Sequence, residues 1–192
     1  MNNEEYSEVL YIEQENTFNR TIELLNENKV LVLPCDTIYG LCAKMGDAEE
    51  TLRSIKKRRE TKPFLVLATL EQAKELCYIP EEIIELWPCA LTVVLNKKEG
   101  GTLAIRVPSD PFLQSILEKL GSPIYSTSIN ESGYSSLTNI VDIILNYKDR
   151  VAAFVVDSEM QGAIPSTLID VTQKPYKLLR QGIYDLPEGL LN

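Results

Sequence analysis

The 192-residue chain contains no histidine, and this sets the limits of its chemistry. A Ser-His-Asp or Cys-His arrangement is excluded, and so are the histidine-bearing zinc sites. The four cysteines, Cys35, Cys42, Cys77 and Cys89, form no C-x-x-C pair, so a thiolate zinc cluster is not expected either. Such cysteines most often serve as small buried hydrophobes. No apolar run approaches the roughly 20 residues that a membrane-spanning helix needs. Glu4, Glu5 and Glu8 replace the basic-then-apolar start of a secretory signal. A cytoplasmic protein without membrane contact is the expectation.

Positive charge is also scarce, with 19 basic against 28 acidic residues and a net charge of −9. Tight nonspecific binding to nucleic acid needs a basic surface, so at most weak tRNA or double-stranded RNA binding is expected. The cations that exist are bunched. Arg53, Lys56, Lys57, Arg58, Arg59 and Lys62 lie within ten residues, opposed only by Glu60. A local positive site in an acidic protein suits a small anionic ligand.

Length and the absence of repeats or linkers predict one domain over 1–192. Phe18, Ile22 and Leu25 share a helical face behind Asn16 or Thr17 as the cap. Val30–Leu33 reads as a buried strand ending at Pro34, and Leu52 with Ile55 as a helix. Further strands are predicted at Phe64–Ala68, Leu91–Leu95, Leu103–Val107, Ile124–Tyr125, Phe154–Val156, Leu168–Val171 and Leu178–Leu179. Asp110-Pro111 opens a helix through Leu120, and Leu137, Ile140, Val141, Ile144 and Leu145 mark another. Strands interleaved with helices, plus a hairpin at Gly100-Gly101, indicate an α/β fold with a mixed sheet.

Polar residues gather at strand ends. Leu33–Leu41 releases Asp36, Thr37 and Tyr39 after a buried strand, as a ligand loop or as a strand-to-helix turn capped by Asp36 or Thr37. Lys56 and Arg58 can share a site if their helix ends there; otherwise they are solvated cations at a helix terminus. Ser126–Gly133 offers hydroxyls, an amide and a glycine able to cradle phosphate, although Ser-rich turns are common. Arg106 sits inside an apolar strand, where a charge needs a partner or a ligand. Arg180 follows the apolar pair Leu178-Leu179 and precedes Gly182; the other reading of either arginine is a strand-edge residue with its head in solvent, and Ser166-Thr167 places two hydroxyls at a strand start.

In order, these segments resemble the signature of the YrdC-like threonylcarbamoyl-AMP synthase family, over about residues 30–184. Pro34–Leu41 resembles P-T-[DE]-T-x-Y-G-L, and Lys56 and Arg58 match K-x-R. Trp87–Thr92 resembles W-P-G-x-L-T, and Ala104–Pro108 resembles A-[VI]-R-x-P. Ser126–Gly133, Pro165–Asp170 and Leu179–Gly182 resemble S-T-S-A-N-x-S-G, P-S-T-I-[IV]-D and L-R-x-G. The resemblance implies a single YrdC-like domain without a second C-terminal one. Its sheet would be twisted, mixed and largely antiparallel, with flanking helices around a concave, positively charged pocket.

The implied activity is an L-threonylcarbamoyladenylate synthase, a nucleotidyltransferase. It joins L-threonine, bicarbonate or CO2, and ATP for N6-threonylcarbamoyladenosine in tRNA. ATP would be a substrate carrying Mg²⁺, and no metal would be held by the protein itself. A threonylcarbamoyl transferase complex would act downstream. The alternative is a non-catalytic paralogue binding nucleotide or double-stranded RNA.

By motif, ATP falls to Lys56, Arg58, Thr102, Ser128, Asn130, Ser136 and Arg180, and threonine to Cys35, Thr37, Arg106, Ser126 and Ser166. Lys56, Arg58 and Asp36 are the catalytic candidates. Cys35 stands where the family has threonine, Cys89 and Cys42 where it has glycine, Arg59 where it has proline, and Ile129 where it has alanine. Bulk at Ile129 and Cys89 is expected to narrow the pocket.

Overall fold

A computed structural model describes residues 7–57, 63–130, 136–160 and 164–192. The chain runs β1 (Glu8–Tyr11), α1 (Thr17–Asn26), β2 (Leu31–Cys35), β3 (Ile38–Lys44), α2 (Glu49–Lys56), β4 (Leu65–Leu67), α3 (Leu70–Leu76) and β5 (Cys77–Tyr78). It continues through α4 (Glu81–Leu86), β6 (Leu91–Lys97), β7 (Thr102–Arg106), α5 (Pro111–Leu120), β8 (Ile124–Ser128), α6 (Ile140–Tyr147), β9 (Ala153–Val156), β10 (Thr167–Asp170) and β11 (Lys177–Arg180). The strands form one sheet in the order β1-β9-β2-β3-β8-β4-β7-β6-β10-β11, with β5 beside β6. The β2–β3, β3–β8, β4–β8, β5–β6, β6–β7 and β10–β11 pairs are antiparallel, while β1–β9, β2–β9, β4–β7 and β6–β10 are parallel. The sheet is therefore mixed and mainly antiparallel, as expected.

Alternation along the central strands feeds two apolar layers. Leu31, Leu33 and Cys35 turn to one side, where α1 and α5 cover them through Leu24, Leu25, Leu113, Ile116 and Leu117. Phe18 and Phe112 close that layer edge to face, with ring centroids 6.3 Å apart. Val30, Val32, Leu41 and Phe154 turn to the other side, into the larger cluster that also holds Val66, Val93, Ile105 and Ile169.

Local chemistry sets several boundaries. Asp110 caps α5 by accepting from the Leu113 amide (2.8 Å), Pro111 occupies its first turn, and Gly121 ends it in the left-handed region at φ +62°. The expected N-cap Asn16 precedes α1 but makes no side-chain capping bond.

Three expectations need correction. β2 runs through Pro34 to Cys35, because its second neighbour β9 pairs only with Leu31 and Val32, and no ladder donor is needed at Pro34. The segment after Thr37 is not a strand-to-helix turn: it returns as β3 in a tight hairpin, with Asp36 at φ +44°. Helix α6 starts at Ile140, where Asn139 accepts from the Val141 (2.9 Å) and Asp142 (3.2 Å) amides, while the Leu137 amide bonds Ile129 O. Its buried residues are Ile143 and Tyr147, and Val141 and Leu145 are exposed. The sequence reading also passed over β1, β5, α3 and α4, which are short or lack a clear apolar period. Among the described residues, no helix is long and apolar enough to cross a membrane.

Candidate functional site

The ends of β2, β3, β8 and β10, with β7 and β11, surround a cavity of about 390 Å³. Cys35, Thr37, Arg106, Ser126 and Ser166 all line it, together with Ser128, Ser136 and Arg180. Residues more than 140 positions apart in sequence thus meet in one hollow. Its described lining contains two arginines and no carboxylate.

Arg106 closes the floor with a side chain only 3% exposed. Its Nη1 donates to Thr37 Oγ1 (3.2 Å), and Nη2 donates to the Cys35 carbonyl (3.0 Å). Nη2 also approaches Asp36 Oδ1 at 3.0 Å, out of line for a hydrogen bond, so Asp36 Oδ1 and Arg106 Nε are buried without a hydrogen-bond partner. Asp36 Oδ2 accepts from the Ser109 amide (3.3 Å). Burial lifts the Asp36 carboxyl above its ordinary range, against the pull of Arg106. Asp36 faces a different hollow, beside Ser109, Asp110 and Asp157. It therefore touches the first cavity only through Arg106.

The opposite wall is built by the chain's last strand. Arg180 donates through Nε and Nη2 to Ser166 O (3.1 and 2.8 Å), and Nη2 reaches Ser166 Oγ at 3.3 Å. Burial, then the positive Arg106, lowers its pKa. Gly182 makes this wall possible: a Cβ there would lie 2.2 Å from Pro165 O and 2.3 Å from Ser166 C. The Gly182 amide bonds Thr167 Oγ1 (3.0 Å), and Ile183 N bonds Pro165 O (3.0 Å). Two guanidinium groups facing one space repel each other, and an anion between them relieves the repulsion.

Lys56, the last residue of α2, is buried beside the third wall. Its Nζ donates to Ser128 O, Asn130 Oδ1 and Asn130 O (2.9 Å), and lies 3.5 Å from Ser128 Oγ. It holds the end of β8 in place. Ser128 Oγ donates to Asn130 Oδ1 (2.8 Å), so Asn130 stands behind the lining. Ser136 is exposed at the rim. Helix α2 ends at Lys56, as sharing a site with Arg58 requires, but Arg58 and Arg59 lie outside the described residues.

Thr102 is exposed at the far end of β7, opposite Asn96, and does not line the cavity. Thr92 does, donating to or accepting from Ser166 Oγ at 2.8 Å. It belonged to a legible motif, Trp87–Thr92, yet no role could be attached to it in one dimension. Tyr39 also lines the cavity while its hydroxyl donates to Asp157 O (3.1 Å) and accepts from Asp157 N (3.2 Å), tying the β2–β3 hairpin to the end of β9.

Gly40 leaves a gap that three side chains fill. A Cβ there would stand 2.7 Å from Ser126 Oγ, 3.1 Å from Cys35 Sγ and 3.5 Å from Cys42 Sγ. The Cys35 and Cys42 sulfurs lie 3.6 Å apart, and Cys42 donates to Ser126 Oγ at 3.6 Å. Burial pushes the Cys42 thiol up, while the hydrogen bond from Cys42, then Arg106, favours the Cys35 thiolate. Cys35, Cys42 and Cys77 are buried, Cys89 is half-buried, and all four are free thiols. Among the described residues, no three His, Cys, Asp or Glu side chains gather as a metal cluster.

The strand ends of this mixed α/β sheet thus bring two arginines and a ring of hydroxyls to one hollow. The chain belongs to the Sua5/YciO/YrdC family, whose model, described as "Telomere recombination", matches residues 23–182. It is 32% identical over 181 residues to a threonylcarbamoyl-AMP synthase of Pyrococcus abyssi, covering 85% of this chain and 53% of that protein. A Bacillus subtilis protein of the same name is 31% identical over 177 residues, with 83% and 51% covered. The chain thus spans about half the length of these two relatives. The crystal structure of Escherichia coli YciO superposes with a TM-score of 0.83 at 25% identity, covering 93% of this chain and 97% of YciO. That of Pyrococcus abyssi Sua5 complexed with L-threonine gives 0.82 at 28% identity, covering 91% and 57%.

Proposed function

We propose that the chain is an L-threonylcarbamoyladenylate synthase, making threonylcarbamoyl-AMP and pyrophosphate from L-threonine, bicarbonate or CO2, and ATP. One observation carries the reading: a single cavity unites Arg106, Arg180 and the hydroxyls of Thr37, Ser126, Ser128 and Ser166, with no carboxylate in its described lining. The names of the Pyrococcus and Bacillus relatives, and the L-threonine complexed with Pyrococcus abyssi Sua5, supply the substrate class.

Arg106 is the partner for the amino-acid carboxylate. Its planar fork is already fixed by Thr37 and the Cys35 carbonyl, and its buried Nε has a donor to give. Cys35, Ser126 and Ser166 seat the rest of the amino acid. Lys56, Arg58, Ser128, Asn130, Ser136 and Arg180 form the nucleotide side, with Lys56 ordering the end of β8. The threonine amine takes up CO2 to form a carbamate, whose oxygen attacks the α-phosphate and expels pyrophosphate. Mg²⁺ comes as part of the ATP substrate. Such a transfer needs alignment and neutralised charge more than a proton shuttle, so a chain without histidine can perform it. Asp36, turned away from the cavity, acts by holding Arg106.

The product would pass to a transferase complex that modifies tRNA, in the cytoplasm. A net charge of −9 opposes the alternative of a double-stranded RNA-binding module. The deciding assay is pyrophosphate release with threonine, with serine and without amino acid, each with and without bicarbonate. Release requiring both threonine and bicarbonate is expected; threonine-independent release, or none, refutes the proposal.

A further inference from the structure

Strand β6 turns Leu91, Val93 and Leu95 into the larger core and sends Thr92 the other way, into the cavity. Valine would fill that place in a strand equally well, so the hydroxyl needs its own explanation. The register that sets Val93 opposite Ile105 brings Thr92 beside Arg106 on β7. Towards β10, Thr92 Oγ1 lies 2.8 Å from Ser166 Oγ, and both residues are buried. Thr92 thus stands between the two arginines of the cavity.

The bonds around this pair have a fixed direction at one end. Arg180 can only donate, so Ser166 accepts from it through its carbonyl (2.8 Å) and at Oγ (3.3 Å). The Thr92 and Ser166 hydroxyls carry two protons between them, and their mutual bond uses one. The second proton has no acceptor among the described residues. It is left for an oxygen of whatever occupies the cavity. Arg106 beside Thr92 and Arg180 beside Ser166 make an anionic oxygen the best match.

We infer that Thr92 is a positioning residue for the amino-acid substrate: its hydroxyl fixes the rotor of Ser166, so that the pair offers one aimed O–H to the ligand between the two arginines. The inference rests on the proposed reaction, in which Ser166 seats threonine, and adds the group that aims Ser166. Without Thr92 Oγ1, Ser166 keeps its bond from Arg180, but its own proton swings freely about the Cβ–Oγ bond. Ordering that rotor then falls to the ligand and weakens binding. A mere tie between β6 and β10 would instead stabilise the fold and leave ligand binding unchanged.

The test measures L-threonine binding to the full chain by calorimetry, without ATP, alongside pyrophosphate release. Thr92→Val keeps the shape and removes the hydroxyl. It should weaken threonine binding and raise the threonine KM about 3- to 10-fold, the range of one ordinary hydrogen bond, with the ATP KM unchanged. Thr92→Ser, which keeps the hydroxyl, should bind nearly as the parent does. Ser166→Ala should weaken binding as well, and adding Thr92→Val to it should change nothing further, because the two hydroxyls act as a unit. If Thr92→Val fails to fold, Thr92→Ala carries the same expectation. Unchanged threonine binding, an equal rise in the ATP KM, no rescue by serine, or additive losses in the double variant would each overturn the inference while the reaction stands. Threonine binding without pyrophosphate release in the parent would refute the reaction and leave the Thr92 comparison to be read by calorimetry. A parent that neither binds threonine nor releases pyrophosphate refutes both.

Discussion

Replacing Arg106 by alanine should do two separable things. It removes the cation facing the cavity, and it strands Asp36, whose side chain is 8% exposed and lies 3.0 Å from Arg106 Nη2. Breaking a buried ion pair from one side costs about 3–5 kcal/mol, because a charge is left without compensation. The low end applies, since burial already lifts the Asp36 carboxyl and protonation relieves part of the penalty. About 3 kcal/mol is a large share of the roughly 5–15 kcal/mol that holds a domain folded.

Adding Asp36→Asn to Arg106→Ala removes the orphaned charge and should return most of that stability in urea unfolding. Threonine binding should not return with it. A hydrogen bond to a charged group contributes about 1.5–3 kcal/mol, so the double variant should still need roughly 10- to 150-fold more threonine for half-maximal pyrophosphate release. If Asp36→Asn restores no stability, the pair is not what burial penalises. If the threonine requirement of both variants matches the parent, Arg106 does not hold the carboxylate.

Gly40→Ala forces a Cβ to 2.7 Å from Ser126 Oγ and 3.1 Å from Cys35 Sγ; overpacking should cost about 1–3 kcal/mol and lower the melting temperature, and an unchanged Tm would refute the contact. Asn139→Ala deletes the α6 cap and should cost about 1 kcal/mol in urea unfolding. Tyr125 donates to Glu49 Oε2 at 2.8 Å, and burial, then Glu49, raises its phenol to about 12. The unfolded phenol ionises near 10, so stability that is complete below that pH should fall as pH rises towards about 12; Tyr125→Phe should flatten this part of the stability–pH curve.

The segments that build the cavity were legible because each joins an apolar run to polar residues at its end. Arg106 stood out as a charge inside Leu103–Val107, and Ser126–Ser128 as hydroxyls closing a strand. Gly40 and Gly182 were visible as glycines, but the atoms they make room for are contributed by distant segments. Thr92 carried no signal of its own, because its neighbour Ser166 lies 74 positions away. The strand β3 was hidden by its motif: Asp36, Thr37 and Gly40 read as a turn, and only the pairing with β8 reveals a central strand.

Sequence alone determined the alternation and periodicity that make the strands and helices, the lack of imidazole chemistry, and the order of the family motifs. Those properties are local, and neighbouring residues suffice to express them. Tertiary structure decided that Asp36 faces away from the cavity while Arg106 faces into it, that Lys56 holds the end of β8, and that Thr102 points elsewhere. Those facts depend on register and strand order, which arise from burial summed over the whole sheet and which no single segment contains.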